Sequence, residues 1–289
     1  MQRPLVEDIR DRLDEFTAKE RKAAHALLAN YPLQGLGTVA QFAKEAGVSS
    51  PSILRFVSRL GFDSFSDFQD CLRKELASQL NSPLARSTEL ADGDVGDPFV
   101  SSLLDNVRET FEHMPKGELE GLSRLLADDR KNLYLIGGRF TDSLARYMAA
   151  HLRIVRANVH HVSGQQANWQ DLLISIGPKD VVLVFDIRRY QSELINFADA
   201  AADRGATLAL ITDSWVSPIA RTASFVLPAR VAVNTPWDSS LALMAIAEVL
   251  IAGVTQQNPE RSRERMQILE DLRETRAPRP DITGKDYDR

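Results

Sequence analysis

After about residue 130 the chain alternates short β-rich runs with helical stretches, and this rhythm limits its fold more than any other feature. The runs are NLYLIG, NVHHV, DVVLVF, ATLALIT and SFVLP, with helices expected near 141–155 and 192–204. The apolar runs lack the alternation of a strand with one wet face. Strands buried on both faces read this way, so helices must cover both sides of a parallel sheet. Residues 237–254 predict a last covering helix. Its run LALMAIAEVLIAGV is too short to span a bilayer and carries Glu248. Trp237 and Asp238 are expected to open that helix, Asp238 as an acid favoured by the helix dipole.

The first 77 residues follow another rule, helix after helix. Leu5, Ile9 and Leu13 mark one apolar face, and Thr17 with Glu20 has the spacing of a capping box. Residues 38–60 read TVAQFAKEAGVSSPSILRFVSRL. Val39, Phe42, Ala43 and Ala46 share one helical face. Gly47 suits the positive φ of a tight turn. Ser50 is the expected N-cap, with Pro51 at the first helical position. Ile53, Phe56, Val57 and Leu60 then point inward, while Ser52, Arg55 and Arg59 are expected near the exposed side.

Two short helices joined through a glycine fit the DNA-binding helix-turn-helix, whose second helix enters the major groove. Ser49, Ser50 and Ser52 are candidates to bond bases or phosphates. Arg55 and Arg59 are candidates for guanine edges or phosphates. The plain alternative is a helical hairpin with solvated arginines. A net charge of −5 excludes a uniformly basic nucleic-acid binder but leaves room for a local basic face.

Four parts are expected: 1–77, an all-α helix-turn-helix domain; 78–114, a linker and connecting helix; 115–254, an α/β doubly wound parallel-sheet domain; and 255–289, a charged helix with a loose tail. Residues 81–98, NSPLARSTELADGDVGDP, have linker composition.

The stretch GVSSPSILRFVSRLGFDSFSDF resembles the N-terminal domain of RpiR-type bacterial transcription regulators. Gly47, Val48, Ser49, Arg55, Phe56, Leu60, Gly61, Phe62 and Phe68 carry the likeness. The second domain resembles the sugar isomerase (SIS) fold that follows in that family. LYLIGGRFTDSLARYMAAHL is similar to its first strand, glycine loop and helix, and ATLALITDSWVSPIA to its later strand.

Two loops depart from the SIS pattern. In a loop that usually resembles G-x-G-x-S, Gly137 keeps the first glycine, Arg139 stands at the second and Thr141 at the serine. In a loop that usually resembles S-x-S-G-x-T-x-E, the chain has Asp186, Ile187, Arg188, Arg189, Tyr190, Gln191, Ser192 and Glu193, of which only Glu193 matches. Gly137, Arg139, Thr141, Asp186, Arg188, Arg189, Gln191 and Glu193 are therefore the candidate ligand-binding set. Three readings stay open: guanidinium groups bind an anion; they pair with Asp186 or Asp142 and close the pocket; or they face a second subunit.

The resemblance implies a regulator that binds double-stranded operator DNA. Its effector would be a small anionic metabolite: a sugar phosphate, a sugar acid or a similar carbohydrate derivative. The alternatives are a SIS domain that only dimerises, and a phosphosugar isomerase with Glu193 as base. A homodimer or homotetramer is expected, with no cofactor, no metal, no catalytic residue and no membrane partner. His160 and His161 are adjacent in a strand, so they point to opposite faces and suit no shared metal. The single cysteine, Cys71, and an N-terminus without an apolar run fit a cytoplasmic protein.

Overall fold

The computed structural model describes residues 5–80, 96–114 and 116–276. The linker reading of 81–98 falls outside this set up to residue 95, as does the tail 277–289. The first domain holds α1 (Leu5–Asp11), α2 (Ala18–Ala29), α3 (Leu33–Leu36), α4 (Val39–Ala46), α5 (Ser50–Arg59) and α6 (Phe65–Leu80). Thr17 and Glu20 close the expected capping box at the start of α2. Phe16, Phe42 and Phe56 meet edge-on in its core, at ring distances of 5.3 and 6.5 Å. Leu27, Ile53, Phe68 and Leu72 fill the same core.

The second domain begins with α7 (Asp97–Glu112) and α8 (Lys116–Ala127). It continues with β1 (Asn132–Gly137), α9 (Asp142–Val155), β2 (Val159–His161), α10 (Trp169–Leu173), β3 (Asp180–Asp186) and α11 (Ser192–Asp203). β4 (Thr207–Asp213), β5 (Phe225–Ala229), α12 (Leu241–Gln257) and α13 (Pro259–Arg276) complete it. The five strands are parallel, in the order β2-β1-β3-β4-β5.

The strand side chains divide between two cores. Leu133, Leu135, Val181, Leu183, Phe185, Ala209 and Ile211 face one, with α8, α9 and α12. Tyr134, Ile136, Val182, Val184, Leu208 and Leu210 face the other, with α10 and α11. This two-sided burial is why the runs do not alternate. α7 lies against this domain: Asn106 donates to the Ala232 carbonyl (2.9 Å), and the Arg230 amide donates to Thr110 (2.9 Å).

The strand order fixes where a ligand can enter. The chain winds outward from β1 to β2, then returns across β1 to β3 and winds the other way. The loops after β1 and β3 therefore part at the carboxyl edge, the usual ligand crevice of open α/β sheets. α1 ties the two domains together on another side. The Arg230 guanidinium pairs with Glu7 of α1 and, at 2.7 Å, with Glu109 of α7. No single helix among the described residues is long and apolar enough to cross a membrane.

Candidate functional site

A cleft of about 650 Å³ opens at the crevice between β1 and β3. The loop after β1, the loop after β3 and the segment Pro236–Ser240 form its walls. The first loop turns tightly into α9. A Cβ on Gly137 would lie 2.5 Å from the backbone of Thr141 and Asp142, so this position excludes any side chain. Thr141 is buried and spends its hydroxyl inside the loop: it donates to the Phe185 carbonyl (2.6 Å) and accepts from the Gly138 amide (2.8 Å). Gln191, from the second loop, accepts the Arg139 amide on its side-chain oxygen at 2.7 Å.

The inner wall is acidic. Asp186 ends β3, is buried, and accepts the Ser217 hydroxyl at 2.6 Å. Burial, reinforced by nearby Asp213, pushes its carboxyl up to about 7 despite the Ser217 bond. Asp213 ends β4 fully buried and collects four donors: the amides of Arg188, Trp215 and Val216, and the Tyr190 hydroxyl. Burial raises its pKa as well.

Arg188 is committed to the protein itself. Its guanidinium makes a two-pronged contact with the Asp238 carboxylate and lies 4.3 Å from the Trp215 ring centre. Its side chain is 4% exposed. Of the three open readings, the one with internal pairing names Asp186 or Asp142 as partners; for Arg188 the partner is Asp238. The reason is local: α12 starts at Leu241, so Asp238 sits in the loop before the helix and reaches across the cleft.

The mouth differs from the wall. Arg139 and Arg189 line it and are exposed, and neither has a carboxylate partner among the described residues. The Arg139 guanidinium lies 5.2 Å from the Phe140 ring centre. Phe140 meets Trp237 edge-on at 6.0 Å, and both rings are exposed. Glu193 is exposed, receives the Ser192 hydroxyl, and lies outside the lining. His161 bonds Asp142 at 2.7 Å, while His160 stacks on Tyr134. Among the described residues no cluster of His, Cys, Asp and Glu could hold a metal.

Phe140, Trp237, Asp213 and Ser217 are site residues that the sequence reading left without a ligand role. An ITD-x₃-S spacing after a strand is the one signal that could have pointed to the last two, since it sets a carboxylate and a hydroxyl on one strand end.

In the first domain Gly47 takes φ 62° and turns α4 into α5. The N-cap is Ser49, one residue before the expected Ser50, and Ser50 opens the helix. Ser49 and Arg55 are exposed and Ser50 is half-buried. Ser52 is buried instead of exposed. It lies one turn before Phe56 and shares that inward face, and its hydroxyl bonds Ser49 (2.9 Å) and Arg55 (3.2 Å). Arg59, though exposed, braces the domain by donating to the Glu15 carbonyl at 2.9 Å.

Residues 4–79 match the model of the helix-turn-helix domain of the rpiR family, and residues 125–253 match that of the SIS domain. The chain is 25% identical over 261 residues to the HTH-type transcriptional regulator HexR of Pseudomonas aeruginosa, covering 87% of this chain and 89% of that one. It is 24% identical over 282 residues to HexR of Escherichia coli, covering 94% and 95%. The Vibrio vulnificus NanR protein, solved complexed with ManNAc-6P, superposes with a TM-score of 0.55 at 17% identity, over 93% of this chain and 97% of that one. Both modules thus stand in one chain, helix-turn-helix first and SIS domain second, and the protein belongs to the RpiR family.

Proposed function

We propose that this protein is a DNA-binding transcription regulator whose operator affinity responds to a small anionic carbohydrate derivative held in the SIS cleft. The observation that carries this reading is the pairing of two surfaces in one chain. One is the exposed start of α5, with Ser49 and Arg55 beyond a left-handed Gly47 turn. The other is a switch-point cleft with two exposed arginines at its mouth, neither with a carboxylate partner among the described residues. In this account α5 lies in the major groove, with Ser49 and Ser50 on phosphates and Arg55 on a base edge. Ser52 positions Arg55 rather than touching DNA, and Arg59 braces the fold.

Two copies would place two such helices on a palindromic operator. The relatives named HexR are regulators, and NanR was solved with a phosphosugar, which agrees with this reading. The isomerase reading has less to rest on, because Glu193 lies outside the cleft.

A thermal-shift screen of sugar phosphates, aldonic acids and dicarboxylates tests the effector half. A ligand at a hundredfold excess over its Kd should stabilise the protein by about 2.7 kcal/mol. The gain should disappear in the Arg139→Ala/Arg189→Ala double variant. A gain that persists in that variant would place the anion elsewhere. A screen without any hit would reduce the SIS domain to a dimerisation module.

A further inference from the structure

We propose that Gln191 determines the specificity of the cleft, by occupying with its own carboxamide the place where a bound phosphate would take the amides of the loop after β1. It rests on the reading of the cleft as an effector site, and it states which part of the effector lies where. The consequence is an effector that turns its anionic group outward, onto Arg139 and Arg189, and its uncharged hydroxyl-bearing body inward. A sugar acid with a terminal carboxylate has this shape.

A glycine-rich turn at the start of a helix normally offers its amides to an anion, because nothing blocks the approach and the helix dipole favours negative charge. The Gly137–Gly138 turn ahead of α9 has that form. Here its donors are already satisfied. The Gly138 amide is held by Thr141, and the Arg139 amide by the Gln191 oxygen. That oxygen lies 2.5 Å from where a Gly138 Cβ would stand, so it sits directly over the bare glycine backbone. It is a neutral acceptor in the slot of an anionic oxygen.

Electrostatics agree with the geometry. The inner wall carries Asp186 and Asp238, with Arg188 neutralised by the latter. A phosphate pushed to that depth meets Asp186 and Asp238, and Arg188, the cation there among the described residues, is held by Asp238. The mouth carries the exposed Arg139 and Arg189 guanidinium groups, without carboxylate partners among the described residues, together with Phe140 and Trp237, an aromatic pair suited to the apolar face of a sugar ring. Charge therefore runs from near neutral inside, where Arg188 and Asp238 cancel and burial favours the protonated Asp186 carboxyl, to positive outside, and a ligand with one anionic end should align along it.

Amide NMR with inorganic phosphate as the probe tests this directly in the full chain. In the wild type the Gly138 and Arg139 amides should show no saturable phosphate-dependent shift. In Gln191→Ala the Arg139 amide, freed of the Gln191 oxygen, should shift and saturate, with an apparent affinity at least about tenfold above any wild-type response. Gln191→Glu, which keeps the slot filled, should behave as the wild type does and shows whether the position tolerates change. Saturable shifts of both amides in the wild type would overturn the proposal, because Gln191 would then give way to phosphate. So would the absence of a saturable Arg139 shift in a folded Gln191→Ala protein, because the slot would then not be an anion site. Neither result depends on the effector screen, whose failure would remove the effector reading instead.

Discussion

Asp238→Ala should lower the unfolding free energy by about 3–5 kcal/mol, because it removes the carboxylate that balances the buried Arg188 charge in the cleft wall. The Arg188 side chain is 4% exposed and that of Asp238 15%. Water can therefore do little to replace the lost carboxylate. The Trp215 ring, 4.3 Å away, retains some attraction for the cation but offers no acceptor. Removing both charges is a different matter, since a pair replaced by apolar side chains leaves no uncompensated charge. The Arg188→Leu/Asp238→Leu double variant should cost far less than the sum of its single changes. Urea denaturation of the four proteins measures this. Additive costs, or a loss below about 1 kcal/mol for Asp238→Ala, would mean that the pair does not close the wall.

Asp186 should make the protein less stable as the pH rises from about 4 to 7. In the folded chain burial holds its carboxyl up to about 7, whereas an unfolded aspartate titrates near 3.9. Between these values the folded state keeps a proton that the unfolded state has released, so raising the pH favours unfolding. The contribution is complete below the unfolded pKa and is lost as the pH climbs through the folded one. At 1.36 kcal/mol per unit the span is about 4 kcal/mol. Asp186→Asn keeps an acceptor for Ser217 and cannot ionise. Its stability relative to the wild type should therefore increase by about 4 kcal/mol from pH 4 to pH 8. A difference that is flat with pH would contradict the buried, carboxylate-facing position of Asp186.

Both predictions concern residues whose partners are remote in sequence, and that explains what was legible. The sheet could be read because burial on both faces leaves its mark on every residue of a run such as VVLVF. The helix-turn-helix could be read because its turn needs a left-handed residue, met by Gly47 at φ 62°, and its faces repeat locally. Asp238 is different. It lies 50 residues from Arg188, and only the fold brings them together. From sequence Asp238 looks like a helix-opening acid. Ser52 shows a subtler limit: its place near Phe56 puts it at the edge of the buried arc, where helical phase alone does not decide exposure. Gln191 reads as a lost threonine until its oxygen is found over the Gly138–Arg139 backbone.

The most direct test of the central claim is selection of binding sites from a random pool of duplex DNA by the purified full chain. The account predicts enrichment of a palindromic sequence, bound about 10³-fold or more above random DNA at physiological salt. Arg55→Ala should weaken that specific complex by about 1–3 kcal/mol and relax the base preference at one position in each half-site. Equal affinity for selected and random DNA would contradict the claim that this protein is an operator-binding regulator.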